Sequence, residues 1–254
     1  MARSVTLASA AALAMASLGL AAPAFAQSAD AWTWTGPYVG VNVGYGGGDF
    51  KYPFSGTTDA AGTNRVAGQA RQSSSGVLGG GQLGYNYQMP NGWVLGLETD
   101  IAAGDIGGKS SFYSAAAAGN VTTSGLDSKI NYLGTLRGRI GKPMFDGRFM
   151  PYVTGGFAYG GVRTNASFNC TTCANVGAFS SGTQTQTGWT AGAGAEYALT
   201  RHLSFKVEYL YVDLGSQNLT GAGTFNTPGG AVYNASLREQ TNANVVRAGL
   251  NFRF

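Results

Sequence analysis

The feature that most constrains this chain is an alternation of apolar residues with small or polar residues at every second position. About eight segments show it, each about 10 to 12 residues long, which is the length at which a tilted strand crosses a bilayer. In the first segment, Val39, Val41 and Val43 share one face, with glycine and asparagine between them. The segments lie at about 36–46, 77–88, 93–103, 130–141, 149–160, 188–199, 203–213 and 246–254.

Composition indicates that these strands lie in a membrane. The chain has 41 glycines but only 11% charged residues, whereas ordinary soluble domains carry about 25%. After residue 26, glycine, asparagine, threonine or a charge interrupts every apolar run before it reaches the roughly 18 residues of a spanning helix. Strands cross lipid only as closed barrels, because every backbone group must be paired. We therefore predict an all-β, closed antiparallel transmembrane barrel of about eight strands, although a secreted adhesin or a Gly-rich fibre also fits the composition.

The first residues predict export. Arg3 precedes an apolar run at 5–22, and Ala24 and Ala26 form an A-x-A cleavage site. We expect a cleaved signal peptide at 1–26, a periplasmic lead-in at 27–35 and the barrel at 36–254. Trp32 and Trp34 of the lead-in are expected at the inner aromatic girdle.

The connections alternate in length, as they do in outer-membrane barrels, where periplasmic turns are short and extracellular loops are long. Short links are expected at 90–92, 143–147 and 200–202. Four long polar loops are expected at about 47–76, 104–129, 161–187 and 214–243. An even number of strands then places both barrel ends on the periplasmic side.

Motifs along the whole mature chain resemble the small outer-membrane β-barrel surface antigens of alphaproteobacteria, a porin-like group related to the transmembrane domain of outer-membrane protein A. The resemblance implies an eight-stranded barrel with a role in envelope integrity or surface antigenicity, and it implies no shared enzymatic activity. It is carried by WTGPYVG at 34–40, GGQLGYNY at 80–87, VLGLETD at 94–100, LGTLRGR at 133–139, PYVTGG at 151–156, VEYLYVDLG at 207–215 and the final Phe254.

The inward faces of the predicted strands collect acids and bases in equal number. The lumen of a barrel this size is just wide enough for side chains to fill, and buried charges are tolerated when they are paired. We expect a lumenal ion-pair network, with a narrow ion path lined by the same charges as the alternative. The candidate residues are Glu98, Asp100, Arg137, Arg139, Glu196, Lys206, Glu208 and Arg247.

Three other motifs receive structural interpretations. Cys170 and Cys173 form a C-x-x-C in the third long loop, where a loop-stiffening disulfide is favoured over a redox site or half of a metal site. The G-x-G-x-x-G spacing at 79–84 lacks the following helix of a dinucleotide site, so these glycines are expected to make room for bulky inward neighbours or to allow local coiling of the sheet. His202, the single histidine, lies in a periplasmic turn, far from any hydrolase-like arrangement.

The chain end alternates apolar residues up to Phe254. Leu250, Phe252 and Phe254 are expected to face lipid, and the resemblance implies that they form the signal for the barrel-assembly machinery.

We therefore predict a non-enzymatic outer-membrane protein without cofactor or metal, held in outer-membrane lipid and making its contacts through its loops. A small diffusion pore, and loop-mediated binding of an external ligand such as haem or a host surface, are the alternatives. The net charge of +4 is too small to favour nucleic acid.

Overall fold

The computed structural model describes residues 32–57, 65–116, 120–170, 177–180, 184–224 and 232–254. These residues form nine strands and, within them, no helix long and apolar enough to cross a membrane. The strands are β1 Gly36–Thr57, β2 Arg65–Gln88, β3 Val94–Ala116, β4 Asn120–Gly141, β5 Phe149–Cys170, β6 Gly177–Ser180, β7 Gln184–Ala198, β8 Leu203–Thr224 and β9 Val232–Arg253.

Eight of these strands close into a ring. Each pairs antiparallel with its neighbours in the order β1, β2, β3, β4, β5, β7, β8, β9, and β9 pairs back onto β1. At this seam Val39 lies opposite Phe252, and the pairing continues to Gly56 opposite Ala235. The short β6 pairs with β5 beside the ring. The predicted closed eight-stranded antiparallel barrel is confirmed.

The two faces of the wall divide as the alternation predicts. Val41 and Val43 are 63% and 58% exposed, whereas Asn42 between them is 6% exposed. The exposed apolar side chains of all eight ring strands form the lipid-facing band. Beyond this band the outward residue becomes Asp49, Asp105, Arg163, Asp213 or Asn244 on five of the strands.

The strands continue well beyond this band, which corrects the prediction of four long loops. Most of 47–76, 104–129, 161–187 and 214–243 lies in paired strand, with only 58–64, 117–119, 171–176, 181–183 and 225–231 outside the described residues. The 22 residues of β1 span roughly 70 Å, or a height of roughly 55 Å at a tilt of about 40°. That is about twice the roughly 25 Å apolar band. The ladder therefore continues beyond the part of each strand that the alternation of apolar residues identifies.

The short periplasmic turns are confirmed. In the link from β2 to β3, Gly92 adopts φ +84° and its amide donates to the carbonyl of Met89 at 2.9 Å. The amide of Met89 in turn donates to the carbonyl of Trp93 at 2.7 Å. Glycine suits this turn because the left-handed region is costly for residues with a Cβ.

Candidate functional site

The structure brings all eight predicted lumenal charges together inside the barrel. Five strands supply them, and alternation turns each side chain inward. None is more than 5% exposed. Glu98 and Asp100 come from β3, Arg137 and Arg139 from β4, Glu196 from β7, Lys206 and Glu208 from β8, and Arg247 from β9.

Arg137 is the centre of the ionic layer. Its guanidinium contacts Glu98 at 2.5 Å, Asp100 at 3.0 Å and Glu208 at 2.9 Å. Arg247 approaches from the opposite strand and contacts Asp100 at 3.0 Å and Glu208 at 2.7 Å. Three carboxylates therefore share two guanidiniums, and each carboxylate touches more than one base.

The remaining two bases complete the layer. The ammonium of Lys206 donates to Glu98 at 2.7 Å, and Arg139 contacts Glu196 at 3.0 Å. Four acids face four bases, so this group has no formal net charge. Among the described residues no group of three or more histidine, cysteine or acidic side chains could hold a metal ion.

Two tyrosines that were not among the predicted site residues supply hydroxyl groups to this layer. The Tyr38 hydroxyl donates to Glu98 at 2.7 Å, and the Tyr152 hydroxyl donates to Glu208 at 3.0 Å. Arg139 lies between their rings, 4.9 Å from the Tyr38 centroid and 5.2 Å from the Tyr152 centroid. Their even-numbered positions share the inward face with Asn42 and Thr154, so strand parity could have identified them.

Inward-facing glycines leave the space that these two tyrosine rings occupy. A Cβ on Gly84 would collide with the ring and hydroxyl of Tyr38, and a Cβ on Gly194 would lie 2.6 Å from the hydroxyl of Tyr152. Gly84 therefore makes room for a bulky neighbour, as the sequence predicts for this motif. In both cases an aromatic ring covers the glycine that lies opposite it on the adjacent strand.

An apolar layer fills the lumen on the extracellular side of the charges. Its members are nearly inaccessible, with Ile106 at 1% and Leu210 at 0%. This layer was not predicted, because apolar residues were expected on the outer face only. It consists of Leu78, Ala102, Ile106, Ile130, Leu133, Ala158, Val162, Leu210, Val212, Leu214, Ala243 and Val245.

A second apolar group closes the periplasmic side and corrects the prediction that Trp34 lies in the inner girdle. Trp34 is fully buried and packs with Val94, Met150, Tyr152 and Ala198. Its indole donates to the carbonyl of Gly147 at 2.7 Å. Trp34 therefore lies inside the periplasmic mouth of the barrel and not against lipid.

Arg253 packs against the two tryptophans of this periplasmic group. Its guanidinium lies 4.6 Å from the ring centroids of both Trp32 and Trp34, a stacking that favours a cation over the aromatic faces. Trp32 is only partly buried beside Trp34. From its extracellular to its periplasmic end, the lumen thus has three filled layers. They are the apolar layer, the ionic layer and the group around Trp34, which we call the tryptophan layer.

The other predicted sites have the following positions. Leu250, Phe252 and Phe254 face outward on and after β9, exposed by 43%, 47% and 66%. Cys170 is the last residue of β5, and the predicted disulfide falls outside the described residues because Cys173 lies in 171–176. The predicted signal peptide at 1–26 is likewise outside them.

Comparison with known proteins gives the same architecture. Residues 10–254 match the family described as "Outer membrane protein beta-barrel domain". The chain belongs to this family. It is 39% identical over 219 residues to the 31 kDa outer-membrane immunogenic protein of Brucella melitensis, covering 86% of this chain and 83% of that protein.

Two further proteins are similar to this chain. The 22 kDa outer membrane protein of Rhizobium leguminosarum is 30% identical over 142 residues, which is 55% of this chain and 54% of that protein. The solved structure of OprG from Pseudomonas aeruginosa has 15% identity and a TM-score of 0.46, covering 89% of this chain and 100% of that one. The predicted resemblance to alphaproteobacterial surface antigens is confirmed, and the protein lies in the Gram-negative outer membrane.

Proposed function

We propose that this family member is a non-conducting structural barrel that contributes to envelope integrity and presents an extracellular surface on its extended strands. The filled lumen is the observation that carries this proposal. The charged groups that would line an ion path are nearly fully buried and paired with each other. Because those groups are engaged in mutual pairing, the proposal includes no catalytic role for them.

Two apolar layers support the absence of conduction independently of the charges. An ion crossing the barrel would pass Leu210 and its neighbours on one side and Trp34 on the other. Stripping water from an ion in such surroundings is costly. The diffusion-pore alternative therefore requires rearrangement of at least two packed layers.

Planar-bilayer conductance tests this function. The refolded mature protein should give no stable, uniform current steps, and an Arg137→Met variant should behave in the same way. Reproducible steps in the wild type, with an ion selectivity that changes in Arg137→Met, would show that the lumen is the ion path and would overturn the proposal.

The strand extensions support a surface role. β1 and β9 remain paired from the lipid-facing band to Gly56 opposite Ala235, and Asp49 and Lys51 follow the apolar residues of β1 at the outward positions just beyond the band. The related proteins of Brucella are named immunogenic outer-membrane proteins. We propose that this extension is the part of the chain that contacts external partners.

Single-cysteine labelling tests that exposure. In a Cys170→Ser/Cys173→Ser background, Thr57→Cys at the far end of β1 should react with a membrane-impermeant maleimide on intact cells. Asn91→Cys in the β2–β3 turn should react only after the outer membrane is permeabilised. Labelling of the Asn91→Cys variant on intact cells would show that the barrel has the opposite orientation in the membrane, and it would refute the surface role.

A further inference from the structure

The hairpin between β4 and β5, residues 142–148, presents apolar and basic side chains together at the periplasmic rim. Phe145 is 78% exposed and Met144 46% exposed, and Lys142 and Arg148 are exposed beside them. Phe145 has a φ of +48°. A bulky residue in the left-handed region is uncommon and persists where surrounding contacts impose it.

Contacts with the barrel mouth hold the hairpin in place. The carbonyl of Gly147 accepts the Trp34 indole N–H at 2.7 Å. The carbonyl of Arg148 accepts the amide of Ala198 at 2.9 Å. The hairpin backbone is thus bound to Trp34 and to the end of β7, while the side chains of Met144 and Phe145 remain exposed.

The position of Lys142 relates the hairpin to the bilayer. Its ammonium lies 5.5 Å from the ring centroid of Trp93, and Trp93 is exposed on the lipid-facing surface. Ile140 is the last exposed apolar residue of β4 before it. Lys142 therefore lies at the edge of the apolar band, where lipid headgroups begin.

Charge is distributed unequally between the two ends of the described barrel. The described periplasmic turns contain three basic residues, Lys142, Arg148 and Arg201, and one acidic residue, Asp146. Arg201 belongs to the next turn around the rim, because β5 pairs with β7. At the extracellular edge the described outward charges are nearly balanced, with Lys51, Lys129 and Arg163 against Asp49, Asp105, Asp127 and Asp213.

We propose that the 142–148 hairpin, together with Arg201, binds the phosphate headgroups of anionic phospholipids in the periplasmic leaflet. Basic side chains beside exposed apolar ones are the combination that binds an anionic membrane interface. Phe145 and Met144 contact the acyl-chain boundary, and Lys142 and Arg148 donate to the phosphate oxygens. This site is separate from the lumen and holds the barrel at a defined depth and rotation in the leaflet.

Native mass spectrometry of the full mature protein in a non-ionic detergent tests the proposal. Phosphatidylglycerol and phosphatidylcholine with identical acyl chains are titrated separately, and bound lipids are counted. The wild type should bind phosphatidylglycerol preferentially. A Lys142→Gln/Arg148→Gln variant should bind it about 25-fold more weakly, since each basic residue near an anionic surface contributes about fivefold.

A matched control removes the same charge at the other end of the barrel. Lys129→Gln/Arg163→Gln should change phosphatidylglycerol binding less than about twofold. Both variants are first checked for heat-dependent gel migration, so that only folded protein is compared. Equal binding of the two lipids, or equal losses in both variants, would overturn the proposal.

Two further arms identify the source of the phosphate. Soluble glycerol phosphate at millimolar concentration should not displace phosphatidylglycerol, because it lacks the acyl chains that Phe145 contacts. Displacement would indicate a site for a free phosphate compound and reject a lipid site. Retention of the wild type on isolated peptidoglycan, lost in Lys142→Gln/Arg148→Gln without any change in lipid binding, would also reject it.

Discussion

Replacing Arg137 by methionine removes one buried charge while keeping most of the side-chain volume. Glu98, Asp100 and Glu208 each lose a contact of 2.5 to 3.0 Å, and the ionic layer is left with one acid in excess. Removing one member of a buried ion pair costs about 3–5 kcal/mol of stability. Lys206 still contacts Glu98, and Arg247 still contacts the other two acids, so we expect a value near about 3 kcal/mol.

The free energy of unfolding is measured by urea titration in lipid vesicles, followed by tryptophan fluorescence and by gel migration without boiling. Adding Asp100→Asn to Arg137→Met restores equal numbers of acids and bases, so the double variant should lose less stability than the two single changes added together.

The control is Lys129→Met. The pair of Lys129 with Asp105 has a similar length, 2.9 Å, but its side chains are 40% and 74% exposed, so its loss should cost less than about 1 kcal/mol. If Arg137→Met destabilises the barrel no more than this control, water screens the lumenal charges, and the conclusion that the ionic layer is sealed from water is wrong.

The other predictions concern the two barrel ends and the cysteines. Trp34→Ala should destabilise the barrel by about 3–5 kcal/mol in the same titration, yet leave planar bilayers without stable current steps, because the upper apolar layer remains. Protein purified from outer membranes without reductant should contain no maleimide-reactive thiol at Cys170 or Cys173. Deleting Phe254 should lower folded protein in the outer membrane and raise protease-sensitive periplasmic protein, while refolding into vesicles stays near the wild-type yield; normal assembly in cells would refute a signal role.

The lipid-facing surface and the ionic layer could be predicted because both depend on strict alternation across the bilayer. Lipid demands apolar residues at positions such as Val41 and Leu250, and the intervening positions then face the lumen. Where both faces contact water or polar neighbours, no such demand exists. Just beyond the band, the outward positions of β1 and β9 carry Asp49, Lys51 and Asn244, so the apolar alternation of Val39, Val41 and Val43 does not continue there and the sequence predicts a loop.

Most of the upper apolar layer lies on the inward face that alternation assigns, as Leu210 does beside Glu208, although apolar residues are expected on the outer face only. Ile130 differs from the prediction for another reason. Simple alternation places Ile130 on the same outward face as Leu136. In the structure the pairing of β4 with β5 shifts between Ile130 and Tyr132, and Ile130 is 2% exposed inside the lumen. A bulge of this kind reverses the facing of every residue beyond it. The burial of Trp34 was equally invisible, because it precedes the first strand and no alternation assigns it a face.

The filled lumen also bears on how the strands find their register. Side-chain contacts in the ionic layer join distant parts of the chain, as in the pair of Arg247 with Asp100, which are 147 residues apart. A slip of one residue in β4 would turn Arg137 and Arg139 toward lipid and bring apolar neighbours inward. A basic residue moved to the lipid face near the bilayer midplane costs about 2–4 kcal/mol, and its former partners would be left buried and unpaired. The ionic layer therefore disfavours shifted registers in two ways, by the charge placed in lipid and by the partners left unpaired in the lumen. The apolar layers alone would disfavour them less strongly, because apolar packing tolerates volume-conserving exchanges.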